Sequence, residues 1–190
     1  MKRGSGIALV CAGLLSACGA LNRLDSSCAE LPGGGSYCLQ PSTDLAPFDL
    51  QQKVESTLQG RRETLIVEFE SDAKGLRFAG LTPFGQKLLQ VSYDNHVATA
   101  QTLPDARLSP TMLLALLQMA LWPADSVRRG LAPTLRLEED ARQRRVLRAD
   151  RLLLSIDYSA ASTPNRMHVL VPSLPLELDI SPLPPGATEP

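Results

Sequence analysis

Two histidines, four cysteines and the carboxylates and hydroxyls around them are the side chains of this 190-residue chain that could do chemistry. Two groupings have acid-base potential: Asp94 with His96, and Ser155 and Asp157 with His168. General acid-base catalysis needs partners that converge within hydrogen-bond reach inside a cleft. These groups instead fall in a turn or on the polar side of alternating stretches, where a solvated surface role is expected. No Gly-x-Ser-x-Gly elbow, Gly-x-x-x-x-Gly-Lys loop or His-Glu-x-x-His pair occurs. Gly33-Gly34-Gly35 follows no strand and opens no helix, so it reads as a flexible loop. His96, His168 and the cysteines make no recognisable zinc spacing. The expectation is a non-enzymatic chain with neither metal nor cofactor.

The cysteines gain meaning from the N-terminus. Lys2 and Arg3, an apolar run from Ile7 to Leu15, and small Ser16 and Ala17 make the three parts of an export leader, residues 1–17. That run is far short of the about 20 apolar residues a spanning helix requires. Leu15-Ser16-Ala17-Cys18 resembles the lipobox of bacterial lipoproteins. The resemblance implies a diacylglyceryl group on the Cys18 sulfur, cleavage before Cys18 and palmitate-type acylation of the new amine. The mature chain would then be held on a lipid bilayer, since each buried acyl CH2 contributes about 0.8 kcal/mol. Gly19, where Asp would imply inner-membrane retention, implies the outer membrane, facing the periplasm. In that oxidising compartment, with Cys11 lost and Cys18 lipidated, Cys28 and Cys38 are the remaining thiols and a disulfide is expected. A loop of this size is worth about 2 to 3 kcal/mol when closed.

Composition narrows the partners further. The leader holds Lys2 and Arg3 and no acid, so the chain after it has 17 basic against 20 acidic side chains. A nucleic-acid binder normally shows a basic excess. The densest cluster, Arg142, Arg144, Arg145, Arg148 and Arg151, is interleaved with Glu138, Glu139, Asp140 and Asp150, a pattern of solvated strand and turn surface. No nucleic-acid partner is expected, and the length suits one domain.

Residues 18–45, small, polar and rich in Gly and Pro, read as a lipidated N-terminus and linker. Leu50, Val54 and Leu58 lie four apart, with Asp49 as a possible cap and Gly60 as a stop, which predicts a helix over 48–59. Period-two stretches follow. Residues 65–69 and 76–80 form a hairpin around 71–75, and 87–93 returns through Asp94-Asn95 over 96–102. Ser109-Pro110 opens a helix that runs to Trp122 and is stopped by Pro123. Its apolar side chains go all the way round, so it is expected to be buried or to plug an apolar space. Alternation resumes at 135–137, 146–148, 152–158, 167–171 and 176–180. One-sided strands in such number imply α+β architecture: a curved antiparallel sheet, an incomplete β-barrel, covered on its inner side by helices. The domain would span 46–182, with 183–190 a Pro-rich tail.

Leu81-Thr82-Pro83-Phe84-Gly85-Gln86-Lys87-Leu88, and the helix ending Leu121-Trp122-Pro123, resemble LolA/LolB-like proteins, and more narrowly a lipoprotein family encoded in aryl-polyene-type gene clusters. The resemblance covers most of residues 46–182. It implies a half-barrel with a lidded apolar cavity and an acyl, polyene-lipid or lipoprotein cargo received from a LolA-like carrier. On that reading Phe69, Phe78, Met112, Leu116, Met119, Trp122, Leu154 and Ile156 are the candidate cavity lining. The competing expectation is an adaptor lipoprotein that docks a protein partner and holds no lipid cargo.

Overall fold

A computed structural model describes residues 27–102, 109–159 and 166–183. The leader, Cys18, Gly19 and the tail beyond residue 183 lie outside the described residues. The elements in chain order are strands β1 (Cys28–Glu30), β2 (Ser36–Cys38), β3 (Phe48–Leu58), β4 (Arg61–Asp72), β5 (Gly75–Leu81), β6 (Lys87–Tyr93) and β7 (Ala98–Thr102), then helices α1 (Pro110–Leu121) and α2 (Ala124–Gly130), then strands β8 (Leu135–Glu139), β9 (Gln143–Arg148), β10 (Arg151–Tyr158), β11 (Met167–Val171) and β12 (Leu176–Pro182). β3 to β12 form one open, curved ten-stranded sheet in the order β7-β6-β5-β4-β3-β12-β11-β10-β9-β8, every neighbour antiparallel. α+β architecture with an open antiparallel sheet is therefore established.

Residues 48–59 are not a helix; Phe48–Leu58 is β3, pairing with both β4 and β12. A spacing of four satisfies a strand's period of two as well as a helix's 3.6. Leu50, Val54 and Leu58 share one strand face with Gln52 and Ser56, and those two polar residues hid the alternation. Gly60 does not stop a helix. Gln59 (φ 52°) and Gly60 (φ 80°) form the two-residue turn into β4, the left-handed pair that tight hairpins require.

Nor are residues 27–45 a linker. Ala29, Leu31, Tyr37 and Leu39 are buried in the main core, and the β1–β2 hairpin, closed by the Cys28–Cys38 disulfide, lies against α1. Tyr37 bridges to Leu131 in the main chain. Gly33 (φ 93°) makes its turn beneath Leu153, where an added Cβ would fall 2.7 Å from the leucine's Cδ2. Local hydrophobicity is low here, yet four apolar residues at the right places are enough to dock a disulfide-closed strap.

α1 begins as expected. The Ser109 hydroxyl accepts from the Met112 N–H at 3.0 Å, with Pro110 in the first turn. The helix also ends as expected, with Trp122 an extended C-cap directly before Pro123. Pro123 in turn is the N-cap of α2, a short helix not foreseen from the sequence, with Asp125 in its first turn and Arg128 and Arg129 in its last, charges placed to favour the helix dipole.

The meander gives the sheet two distinct rims. The β3–β4, β5–β6, β9–β10 and β11–β12 turns lie on one, and the β4–β5, β6–β7 and β8–β9 turns on the other.

Candidate functional site

α1 crosses the concave face of the sheet and leaves a cavity of about 450 Å³ beside it, within the range of about 300–1,000 Å³ typical of small-molecule pockets. The inward residues of β3, β4 and β12 form the floor, among them Val54, Leu65, Val67, Leu178 and Ile180. α1 supplies Leu113, Leu116, Leu117, Ala120 and Leu121. Those five follow the i, i+3, i+4, i+7, i+8 spacing of one helical stripe. The remaining faces of α1 explain its all-round apolarity. Met112, Leu114, Ala115 and Met119 are buried in the packed core.

The lining is apolar except for Gln52, Ser56, Gln59, Arg61 and Glu63. Gln59, Arg61 and Glu63 are exposed at the β3–β4 turn, which marks that rim as the mouth. Phe69 and Phe78 line the deeper part. Their ring centroids are 6.0 Å apart, and Phe69 is backed by Phe48 at 5.1 Å and stacked on Trp122 at 6.4 Å.

Among the residues expected to line the cavity, Phe69, Phe78 and Leu116 border it. Met112, Met119, Trp122, Leu154 and Ile156 are instead buried in the packed core. The lining drawn from β12, the mouth and, apart from Phe69, β4 carries no signal in the sequence that singles it out. The signal for the cavity itself lies in the Leu113 to Leu121 stripe, indistinguishable by pattern from the buried stripe behind it.

Polar contacts hold α1 in place on the side away from the cavity. The Gln118 Oε1 accepts from Gln40 N at 2.7 Å and from the Tyr37 hydroxyl at 3.2 Å, while its Nε2 donates to Gln40 O at 2.8 Å. Trp122 Nε1 donates to Pro41 O at 3.1 Å. The carbonyls at the C-terminal end of α1, which lack helical partners, accept from Tyr158 (to Ala120 O, 2.7 Å) and from Arg144 (to Met119 O, 2.8 Å, and Trp122 O, 2.9 Å). Arg144 also pairs with Glu139. Arg144 is thus not the solvated charge its mixed surroundings suggest; it is buried and caps a helix. Burial raises the hydroxyl pKa of both Tyr37 and Tyr158 above the ordinary range, so both stay protonated donors.

The acid-base groupings lie apart from this cavity. His168 Nδ1 is 2.8 Å from Asp179 Oδ1 on the exposed face of the sheet, and Asp157 accepts from Gln143 Nε2 at 2.7 Å. The Asp94 carboxylate accepts from the His96 and Val97 N–H groups, bonds to the ionised form that hold its pKa below the ordinary range. Among the described residues no group of three or more His, Cys, Asp or Glu is placed to hold a metal, and no helix is long and apolar enough to cross a membrane.

Residues 49–184 match the family described as "protein of unknown function (DUF3261)". No curated protein matches the chain. The matched segment covers the whole ten-stranded sheet bar its first residue and includes both helices.

Proposed function

The chain belongs to the DUF3261 family, and on that premise we propose that it is a non-enzymatic, lipid-anchored protein of the bacterial outer membrane whose LolA/LolB-like half-barrel receives the apolar chain of a lipid, polyene-lipid or lipoprotein cargo. The single observation that carries this reading is the cavity between α1 and the sheet. Its walls are aliphatic and aromatic, and its polar groups are gathered toward the β3–β4 side, an arrangement suited to a ligand with an apolar tail and a polar end. Lipid on Cys18 would account for membrane attachment, leaving the apolar stripe of α1 to face cargo. A LolA-like soluble carrier would be the donor.

The test is intact-mass and lipid analysis of full-length protein purified from membranes. The expected result is an apolar chain bound in about one copy per protein, beyond the acyl groups accounted for on Cys18. An empty cavity in protein that is otherwise folded and anchored would overturn the cargo reading and favour an adaptor that docks a protein partner.

A further inference from the structure

We propose that the rim carrying the cavity mouth is a docking surface for an anionic lipid bilayer, with Phe84 inserted among the headgroups. This goes beyond the cargo reading and stands without it.

Phe84 is 97% exposed, against 43% for Val97, the other large apolar side chain left open among the described residues. A single exposed apolar residue is unremarkable by itself; its presentation and surroundings are what distinguish it. The β5–β6 turn is hydrogen-bonded, Gly85 N to Thr82 O at 2.9 Å and Thr82 N to Gln86 O at 2.8 Å, with Gln86 N also donating to the Thr82 hydroxyl at 3.1 Å. Pro83 and Gly85 (φ 80°) fit its two special positions. The phenyl ring is therefore held outward by an ordered turn.

Charge supplies the second argument. At or beside its turns this rim carries Arg61, Arg62, Lys87, Arg148 and Arg151, all exposed, against Glu63, Asp150 and Glu177. None of the five basic side chains forms an ion pair among the described residues, as Arg77, Arg128, Arg129, Arg136, Arg144 and Arg145 do, although Lys74, Arg142 and Arg166 by the opposite rim are likewise without one. The opposite rim is near balance, with Asp72, Asp94, Asp140 and Asp157 against Lys74, Arg142 and Arg166 at or beside its turns. The basic excess of the first rim favours its approach to a negative surface. Basic side chains around a protruding aromatic match an anionic headgroup layer over hydrocarbon. Because β4 pairs with β5, the Phe84 turn neighbours the β3–β4 turn, and docking would set the cavity mouth against the bilayer.

The test places an indole at the contact. Full-length protein carrying Phe84→Trp, in which the native Trp122 is fully buried, is mixed with vesicles of phosphatidylcholine alone or with phosphatidylglycerol added. The expected result is a blue-shifted emission that acyl-brominated lipids quench at least twofold in the phosphatidylglycerol vesicles and much less in the others or in high salt. Removing Arg61, Arg62 or Lys87 as Ser substitutions should each raise the lipid concentration at half-quenching about fivefold. A solvent-like, unquenched emission in both vesicle types would overturn the proposal. So would quenching that ignores both phosphatidylglycerol and the three substitutions, or shielding of position 84 that needs an added protein. Failure of the cargo reading would show separately, as an empty cavity in the purified protein.

Discussion

The Gln118 side chain binds the Gln40 peptide as one strand binds another, accepting from its N–H at 2.7 Å and donating to its C=O at 2.8 Å. This places the one polar residue buried in α1 in register with the N-terminal strap. Replacing it with Leu leaves both groups of Gln40 and the Tyr37 hydroxyl without this partner. Leaving buried polar groups unsatisfied costs about 1 to 3 kcal/mol each. Gln118→Leu should therefore lower unfolding stability by roughly 2 to 4 kcal/mol, read by urea denaturation, and should increase hydrogen exchange at residues 37–41 ahead of the sheet. Exchange unchanged in the strap would count against this role.

Arg144 and Arg145 are sequence neighbours with opposite fates. The first caps α1 from within; the second makes an exposed pair with Glu138. Arg144→Met should cost about 3 kcal/mol through the uncapped carbonyls and the unpaired Glu139, whereas Arg145→Met should stay within about 0.5 kcal/mol. Equal effects in thermal or denaturant melts would refute the distinction.

Filling the cavity should abolish ligand uptake without unfolding the protein. Leu65 and Leu117 line it and are only half-buried, so a larger ring at either place has room to enter the empty volume. Leu65→Trp and Leu117→Trp should each weaken binding of a fluorescent fatty acid at least tenfold while changing stability by about 1 kcal/mol or less. Retained affinity would place the bound chain elsewhere.

Alkaline pH should loosen the strap. Burial raises the Tyr37 pKa in the folded state, while the unfolded chain loses the same proton near the ordinary value of about 10. The stabilisation is thus fully present below about pH 10 and falls as pH rises beyond it, by up to about 1.4 kcal/mol per unit for one proton. Tyr158 adds a contribution of the same sign. Tyr37→Phe should flatten the slope of stability against pH above 10. An unchanged slope would assign the alkaline loss to other groups.

What the sequence disclosed follows from how each element is buried. β4, β5, β10 and β11 show alternation because one face is apolar and the other wet, and α1 announced itself through Ser109 and Pro110. β3 escaped because two of its inward positions, Gln52 and Ser56, line the cavity and are polar. The strap escaped because its docking depends on distant partners, Gln118 and Trp122, that local pattern cannot reveal. The cavity was anticipated only as an attribute of the fold. Whether Leu116 or Met119 faces empty space is decided by what packs behind the helix, and that is a tertiary fact.

The pairing of β3 with β12 joins the first strand of the large sheet to the last, at its middle, with Val54 opposite Ile180. A chain made from its N-terminus can zip β3 to β7 as local hairpins, but that half keeps a bare edge along β3 until residues 176–182 arrive. Contacts this distant in sequence form late and slowly. Folding is therefore completed by the final strand, and loss of β12 alone would leave two half-sheets with a common unsatisfied seam rather than a slightly shortened domain.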